Sequence, residues 1–355
     1  MRKAYISIAS LLLFGSVLMA QSPANRTAKT IAADVLAQMP AEKQAEYNKM
    51  INDLKGTGEE GVLMLVNMIN APGKGSNAQV DYALSGLTHY VMAKGEESAR
   101  LATANAYLKA LDLVTERETK AFIIRQLQIL GQDECIDALS AYLGDESLSG
   151  PASRALAAIG SENAGKALKA GLMRRMGTPK TQKDIIVAIG EAQVADSEEL
   201  LKALLGSGDE NMQKAVLHSL SRVGSKASIK EMAEAAAASG YTMTKTNANE
   251  AYIALLKRVA AQGDAKEVEK AANDLLKKAT KANQTQTRDA ALQILLSLKK
   301  ENSTKLLLSA LKDGNKEYRN AALNFASDFA NKEVYIEVMK AMQKAKPEVK
   351  VDIIN

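Results

Sequence analysis

The chain has 355 residues, with 46 basic against 41 acidic side chains and a formal net charge of +5. One cysteine rules out an internal disulfide, and two histidines leave little from which to build a metal cluster. No tryptophan, four phenylalanines and ten tyrosines equip it poorly for gripping the flat faces of sugars.

Residues 1–20 come first. Arg2 and Lys3 form a positive end, Ile6 to Met19 a short apolar run, and Ala20 a small residue at a plausible cut. That is the layout of a secretory signal peptide rather than a spanning helix. No cysteine follows Ala20 to carry a lipid. The mature chain is expected to begin at or near Gln21, exported to the periplasm or outside the cell, with no membrane span after cleavage.

Residues 21–58 read as an N-terminal helical cap. Ile31, Val35, Leu36 and Met39 make one helical stripe, which Pro40 stops; Tyr47, Met50, Ile51 and Leu54 make the next. Gly56-Thr57-Gly58 breaks the chain. The polar residues between 42 and 53 suit the outer face of a terminal unit, which has a neighbour on one side only.

From 59 to 355 the chain repeats. One helix pair spans 59–70 and 77–94. Its connector contains a Gly-x-Gly, but lacks the flanking strand and the Gly-Lys-Ser/Thr ending of a phosphate loop. The next pair spans 101–114 and 117–131. Then one phrase recurs, an apolar pair three residues apart closed by glycine: Leu127, Leu130, Gly131; Leu156, Ile159, Gly160; Ile186, Ile189, Gly190; Leu220, Val223, Gly224. The pair marks one face of a helix, and the glycine is expected to stop it in a left-handed conformation. A second apolar helix follows each of the first three: Ile136, Leu139, Leu143; Ala167, Leu168, Leu172; Leu200, Leu201, Leu204. A helix pair recurring every 30 residues or so is a solenoid.

After Ser239 two polar connectors, 240–247 and 280–287, stretch the spacing. They read either as a binding rim along one edge or as drift in tolerant loops. Pairs at 285–312 and 316–345 follow. Pro347 opens a last apolar stretch, Val349, Val351, Ile353 and Ile354, which stops about one turn short of its expected end. The solenoid is therefore expected to be truncated within its last helix and to continue into a longer protein.

Asp145 followed by Arg154-Ala-Leu-Ala-Ala-Ile-Gly160 resembles a HEAT repeat of the short bacterial kind. Asp209 with Lys214 to Gly224 fits with His218 in the arginine position, and Asp313 with Arg319 to Leu323 fits more loosely. The resemblance covers roughly 59–355. It implies an all-α, right-handed α-solenoid of about eight to nine helix pairs and no sheet. HEAT-like arrays line their concave side with the second helix of each unit. The resemblance puts Arg125, Gln128, Arg154, His218, Arg222, Arg258 and Arg288 on or near that side. Such a row either meets an acidic partner peptide or pairs with the Asp of a neighbouring unit and holds the stack together.

Nothing in the sequence suggests catalysis within these residues. Asp133-Glu134, Glu198-Glu199 and Asp209-Glu210 sit at helix starts, where acids favour the helix dipole. Cys135 has no histidine tied to it and reads as small filler. The basic C-terminal third alternates lysine with acid at helical spacing, as in Lys266, Glu267, Glu269 and Lys270, which marks a solvated surface rather than a nucleic-acid site. No cofactor and no metal are expected. The expected function is a secreted or periplasmic scaffold that binds another protein or a covalently linked C-terminal domain. The alternative is an accessory region: the layout is similar to secreted Bacteroidetes proteins in which HEAT-like repeats precede a keto-disaccharide hydrolase domain.

Overall fold

The computed structural model describes residues 26–299 and 303–328, and scattered positions between 336 and 350. Residues 1–20 and the apolar Val349, Val351, Ile353 and Ile354 lie outside them. The described residues are helical, with no strand among them. None of these helices is long and apolar enough to cross a membrane. They form two compact units, one up to Ala106 and one from Tyr107.

In the first unit, α1 (Ala28–Gln38), α2 (Gln44–Gly56), α3 (Gly58–Asn67) and α4 (Ala78–Tyr90) pack on one another. The Thr27 hydroxyl caps α1 by accepting from the Thr30 N–H at 3.2 Å. Val35, Met39, Ile51 and Leu54 are buried, as the two stripes require. Arg26 ties α1 to α2 by pairing with Asp34 at 2.5 Å and Asp53 at 3.0 Å. Between α2 and α3 only Thr57 intervenes; Gly58 takes the left-handed turn there, with φ of 58°. In the 70–77 connector, the Asn77 side chain accepts from the Asn70 N–H at 2.8 Å and donates to the Asn70 carbonyl at 2.9 Å.

α5 (Glu97–Leu113) follows, and then helices alternate: α6 (Arg117–Leu130), α7 (Ile136–Ser140), α8 (Ser149–Ile159), α9 (Glu162–Met173), α10 (Pro179–Glu191), α11 (Glu198–Lys202), α12 (Glu210–Val223), α13 (Ile229–Ala238), α14 (Ala248–Ala261), α15 (Ala265–Lys281), α16 (Thr285–Lys299), α17 (Thr304–Leu311) and α18 (Lys316–Asp328). The even-numbered helices from α6 to α18, the first four of which carry the recurrent phrase, stack each on the next and form a motif row. The odd-numbered helices form a back row. The anchors Leu127, Leu156, Ile186 and Leu220 are fully enclosed, as are Leu256 and Leu292 further on. Each such side chain contributes about 1.5–3 kcal/mol by leaving water. The chain is an all-α repeat solenoid.

Helix starts follow their sequence signals. Asp209 caps α12 by accepting from the Met212 N–H at 2.8 Å, Glu116 caps α6 through the Thr119 N–H, and α10 opens on Pro179. Asp145 accepts from the N–H groups of Ser147 and Leu148 and shapes the loop before α8.

Helix ends differ from expectation. Of the four glycines that close the recurrent phrase, only Gly160 ends its helix in the left-handed region, with φ of 65°. Gly131 and Gly224 are extended, and Gly190 lies inside α10. Close approach explains these three. A Cβ on Gly131 would meet the Leu127 carbonyl at 2.5 Å and Cys135 Sγ at 3.0 Å; on Gly224, the Leu220 carbonyl at 2.7 Å and Ser228 Oγ at 3.0 Å. On Gly190 it would stand 2.7 Å from Ser219 Cα, so glycine lets α12 lie against α10 there. Ser219 uses that contact to donate to the Ile186 carbonyl at 2.8 Å. Cys135 and Ser228 are thus equivalent, each a small buried side chain four residues after the glycine.

Two further expectations are corrected. The second connector is mostly helix: α15 runs to Lys281 and α16 starts at Thr285, leaving 282–284 between them. Lys281 and Gln286 are good helix formers, and Thr280 stays helical with its hydroxyl donating back to the Leu276 carbonyl at 2.7 Å. The second helices after Gly131 and Gly190 are single short turns of five residues each, α7 and α11. Tyr107 and Tyr252 are core residues, but Tyr142 is only half-buried, its hydroxyl accepting from Lys120 Nζ at 2.9 Å.

Candidate functional site

The motif row presents two adjoining hollows on its outward face, sharing Val187 of α10. The first, about 540 Å³, is lined by Gln128 of α6, Gly150, Arg154, Ala157 and Ala158 of α8, and Asp184, Ala188 and Glu191 of α10. The second, about 530 Å³, is lined by Lys183 of α10, Asn211, Lys214, Ala215 and His218 of α12, and Asn247, Glu250, Ala251 and Ala254 of α14. Five successive helices therefore contribute to one grooved surface. Its floor is alanine, glycine and valine, because helices packed this closely leave room for little else at the crossing positions.

The groove walls carry both signs of charge in different states. Glu191 is held between His218 Nε2 at 3.2 Å and Arg222 at 3.6 Å. Asp184 accepts from Ser149 Oγ at 2.6 Å and pairs with Lys180 at 3.3 Å. Among the described residues Arg154, Lys183 and Lys214 form no ion pair, and Arg154 and Lys214 are exposed. Glu250 has one carboxylate oxygen buried without a hydrogen-bond donor.

All seven residues singled out from the sequence lie on the motif row. Gln128, Arg154 and His218 line the groove. Arg125 is exposed on α6. The other three reach along the stack. Arg222 donates from Nε to the Gly190 carbonyl at 2.9 Å, at the end of the preceding motif helix. Arg258 does the same one helix later, donating to the carbonyls of Ser221 and Gly224. The last carbonyls of a helix lack intrahelical donors and sit at its negative end, so a guanidinium suits them twice over. Burial lowers the Arg258 pKa against the pull of Glu198. Arg288 is buried, pairs with Asp313 at 2.5 Å and lies 3.9 Å over the Tyr318 ring. Asp289 beside it is pushed up to about 6, chiefly by burial, with Arg288 opposing and Glu317 adding to the rise.

Sequence reasoning missed Lys183, Lys214, Asn211 and Glu250, while Asn247 belongs to the connector that it weighed as a binding rim. Register could have found two of them: Lys214 and Asn211 lie one and two helical turns before His218 and so share its face. Glu198, read from the sequence as a helix-start acid, also accepts hydrogen bonds from Ser225 and Ser228 of the next unit. Burial raises that carboxyl, but hydrogen bonds from Ser228 at 2.5 Å and from Ser225 outweigh it and leave the pKa below the ordinary range. The connector 240–247 borders the second hollow through Asn247, and Lys245 pairs with Glu210 of α12 at 3.4 Å. It meets the start of α16, where Thr287 donates to the Tyr241 carbonyl at 2.7 Å. Behind the row, α13 and α15 stand apart around a hollow of about 560 Å³ floored by Tyr252. Among the described residues no group of three His, Cys, Asp or Glu is placed to hold a metal.

A family model described as HEAT repeats matches residues 172–253. That stretch runs from the end of α9 into α14 and contains most of the second hollow. No curated protein matches the chain. The match and the helical stack together support a HEAT-like repeat protein, a class that suggests a protein-interaction scaffold.

Proposed function

We propose that the chain is an exported scaffold that holds a segment of a partner protein, or of a linked C-terminal domain, along the groove of its motif row. The observation that carries this reading is the pair of adjoining hollows built by α6, α8, α10, α12 and α14. A surface shared by five helices, floored by small side chains and walled by charges, suits an extended segment better than a small molecule. Export rests on the charged, apolar and small-residue order of residues 1–20.

A photo-crosslinking amino acid at Ala158 or Ala254, in the two hollows, tests the groove. Discrete adducts with one protein are expected in the native host, and none from the same group at Ala203 of the back row. Equal labelling from Ala203 would refute the reading. N-terminal sequencing of protein from that host tests export; an intact Met1 on the mature protein would remove it. The accessory-region alternative rests on the order of signal and repeats, and the described helices add no observation in its favour.

A further inference from the structure

The groove's charges are unequally engaged. Asp184 and Glu191 already have cationic partners, Lys180 and Arg222, and His218 Nε2 stands 3.2 Å from Glu191. Among the described residues Arg154, Lys183 and Lys214 form no ion pair, and they are spread over both hollows. Against them stands Glu250 alone, with one carboxylate oxygen already out of solvent. The field left for a ligand is therefore positive, over a floor of Ala157, Ala158, Val187, Ala215 and Ala251 whose short side chains let a backbone lie close.

Resting on the groove as docking surface, we propose that its occupant is an extended acidic peptide segment with two carboxylate clusters. One cluster would pair with Arg154, whose planar fork suits bidentate carboxylate recognition, and the other with Lys183 and Lys214. Their spacing follows from the stack. Arg154 is on α8 and Lys214 on α12, two interaxial steps of about 9 Å each. An extended chain advances about 3.3 Å per residue, so about five residues separate the clusters. Those intervening residues are small, to lie on the alanine floor.

The test uses the full chain and a fluorescein-labelled peptide with two Glu-Glu pairs separated by five alanines and serines, read by fluorescence anisotropy. Saturable binding that weakens with salt is expected, with each single reversal, Arg154→Glu or Lys214→Glu, weakening it about fivefold and the double variant about tenfold or more. Arg154→Gln and Lys214→Gln, which introduce no new charge, are expected to fall between. A Lys-Lys version of the peptide is expected to prefer the double variant. Binding unchanged by reversal, or equal binding of the Lys-Lys peptide to the original chain, overturns the acidic assignment. So does displacement by single-stranded polyuridylate at equal charge, which would make the ligand a polyanion rather than a peptide. Crosslinks from Ala158 and Ala254 that persist in the double variant would overturn the acidic partner while leaving the groove in use; their absence from the unreversed chain would remove the groove itself.

Discussion

The two rows of the second unit are built from similar residues yet pack differently. In the motif row every helix lies on the next, close enough that a Cβ on Gly190 would stand 2.7 Å from the backbone of Ser219. In the back row α13 and α15 are separated by an open hollow, and α7 and α11 are single turns. The motif row therefore carries the continuity of the stack, while the back row tolerates gaps. Long amphipathic helices such as α15 can stand beside a gap because their apolar stripe, Val268, Ala272 and Leu275, is buried against the motif row and their outer face is charged.

Four tests bear on that contrast, ordered by the largest effect that each is expected to show. Gly190→Ala forces α10 and α12 apart and is expected to cost roughly 1–3 kcal/mol, as overpacking does. Gly160→Ala, where only the left-handed backbone objects, is expected to cost about 1 kcal/mol. Urea unfolding of both decides it; equal losses would mean that close approach does not set the motif row. Arg258→Ala removes a charged donor from two helix-end carbonyls, and a loss of about 2 kcal/mol is expected. Arg258→Lys should recover only part of it, and full recovery would reduce the contact to simple charge.

Asp289 gives a third, smaller effect with a pH signature. Its folded pKa of about 6 lies above the ordinary value of 3.8, so the native state favours the protonated form. That stabilisation is present at low pH and is lost as pH rises from about 4 through 6. Asp289→Asn is therefore expected to stabilise the chain by about 1 kcal/mol at pH 7.5, allowing for its half-buried position, and by nearly nothing at pH 4. Unfolding midpoints at the two pH values measure the difference; a gain that is the same at both would show that the carboxyl is not titrating there. Last, Ala233→Leu points into the open back-row hollow, and a change within about 0.5 kcal/mol is expected. A cost comparable with that of Gly190→Ala would erase the distinction between the rows.

The helices were legible because Leu156, Ile186 and Leu220 recur with a helical partner and a glycine, and periodicity of that kind is a property of the sequence alone. The reason for the glycines was not. Left-handed ends and close approaches select the same residue, and telling Gly160 from Gly190 needs the neighbouring helix. The arginines show the same limit. Arg222 and Arg258 could be assigned to the motif row by register, but their acceptors are backbone carbonyls more than thirty residues earlier, and a carbonyl leaves no mark in a sequence. The groove was least legible of all, since its floor is alanine, which reads as generic helix former.

The contacts of Arg222 and Arg258 both run back toward the amino end of the chain. Arg222 on α12 secures the carboxyl end of α10, and Arg258 on α14 secures that of α12. Each of these helices is finished by its successor, not by its predecessor. If α14 is detached, α12 keeps its own residues but loses the cation at its end. If α10 is detached, α12 is still capped by Arg258. Nearest-neighbour coupling in such an array is thus polarised, and unravelling should advance more readily from the carboxyl side than from the amino side. Amide exchange in shortened chains would register this as early loss of protection in the final turn of whichever motif helix has become last.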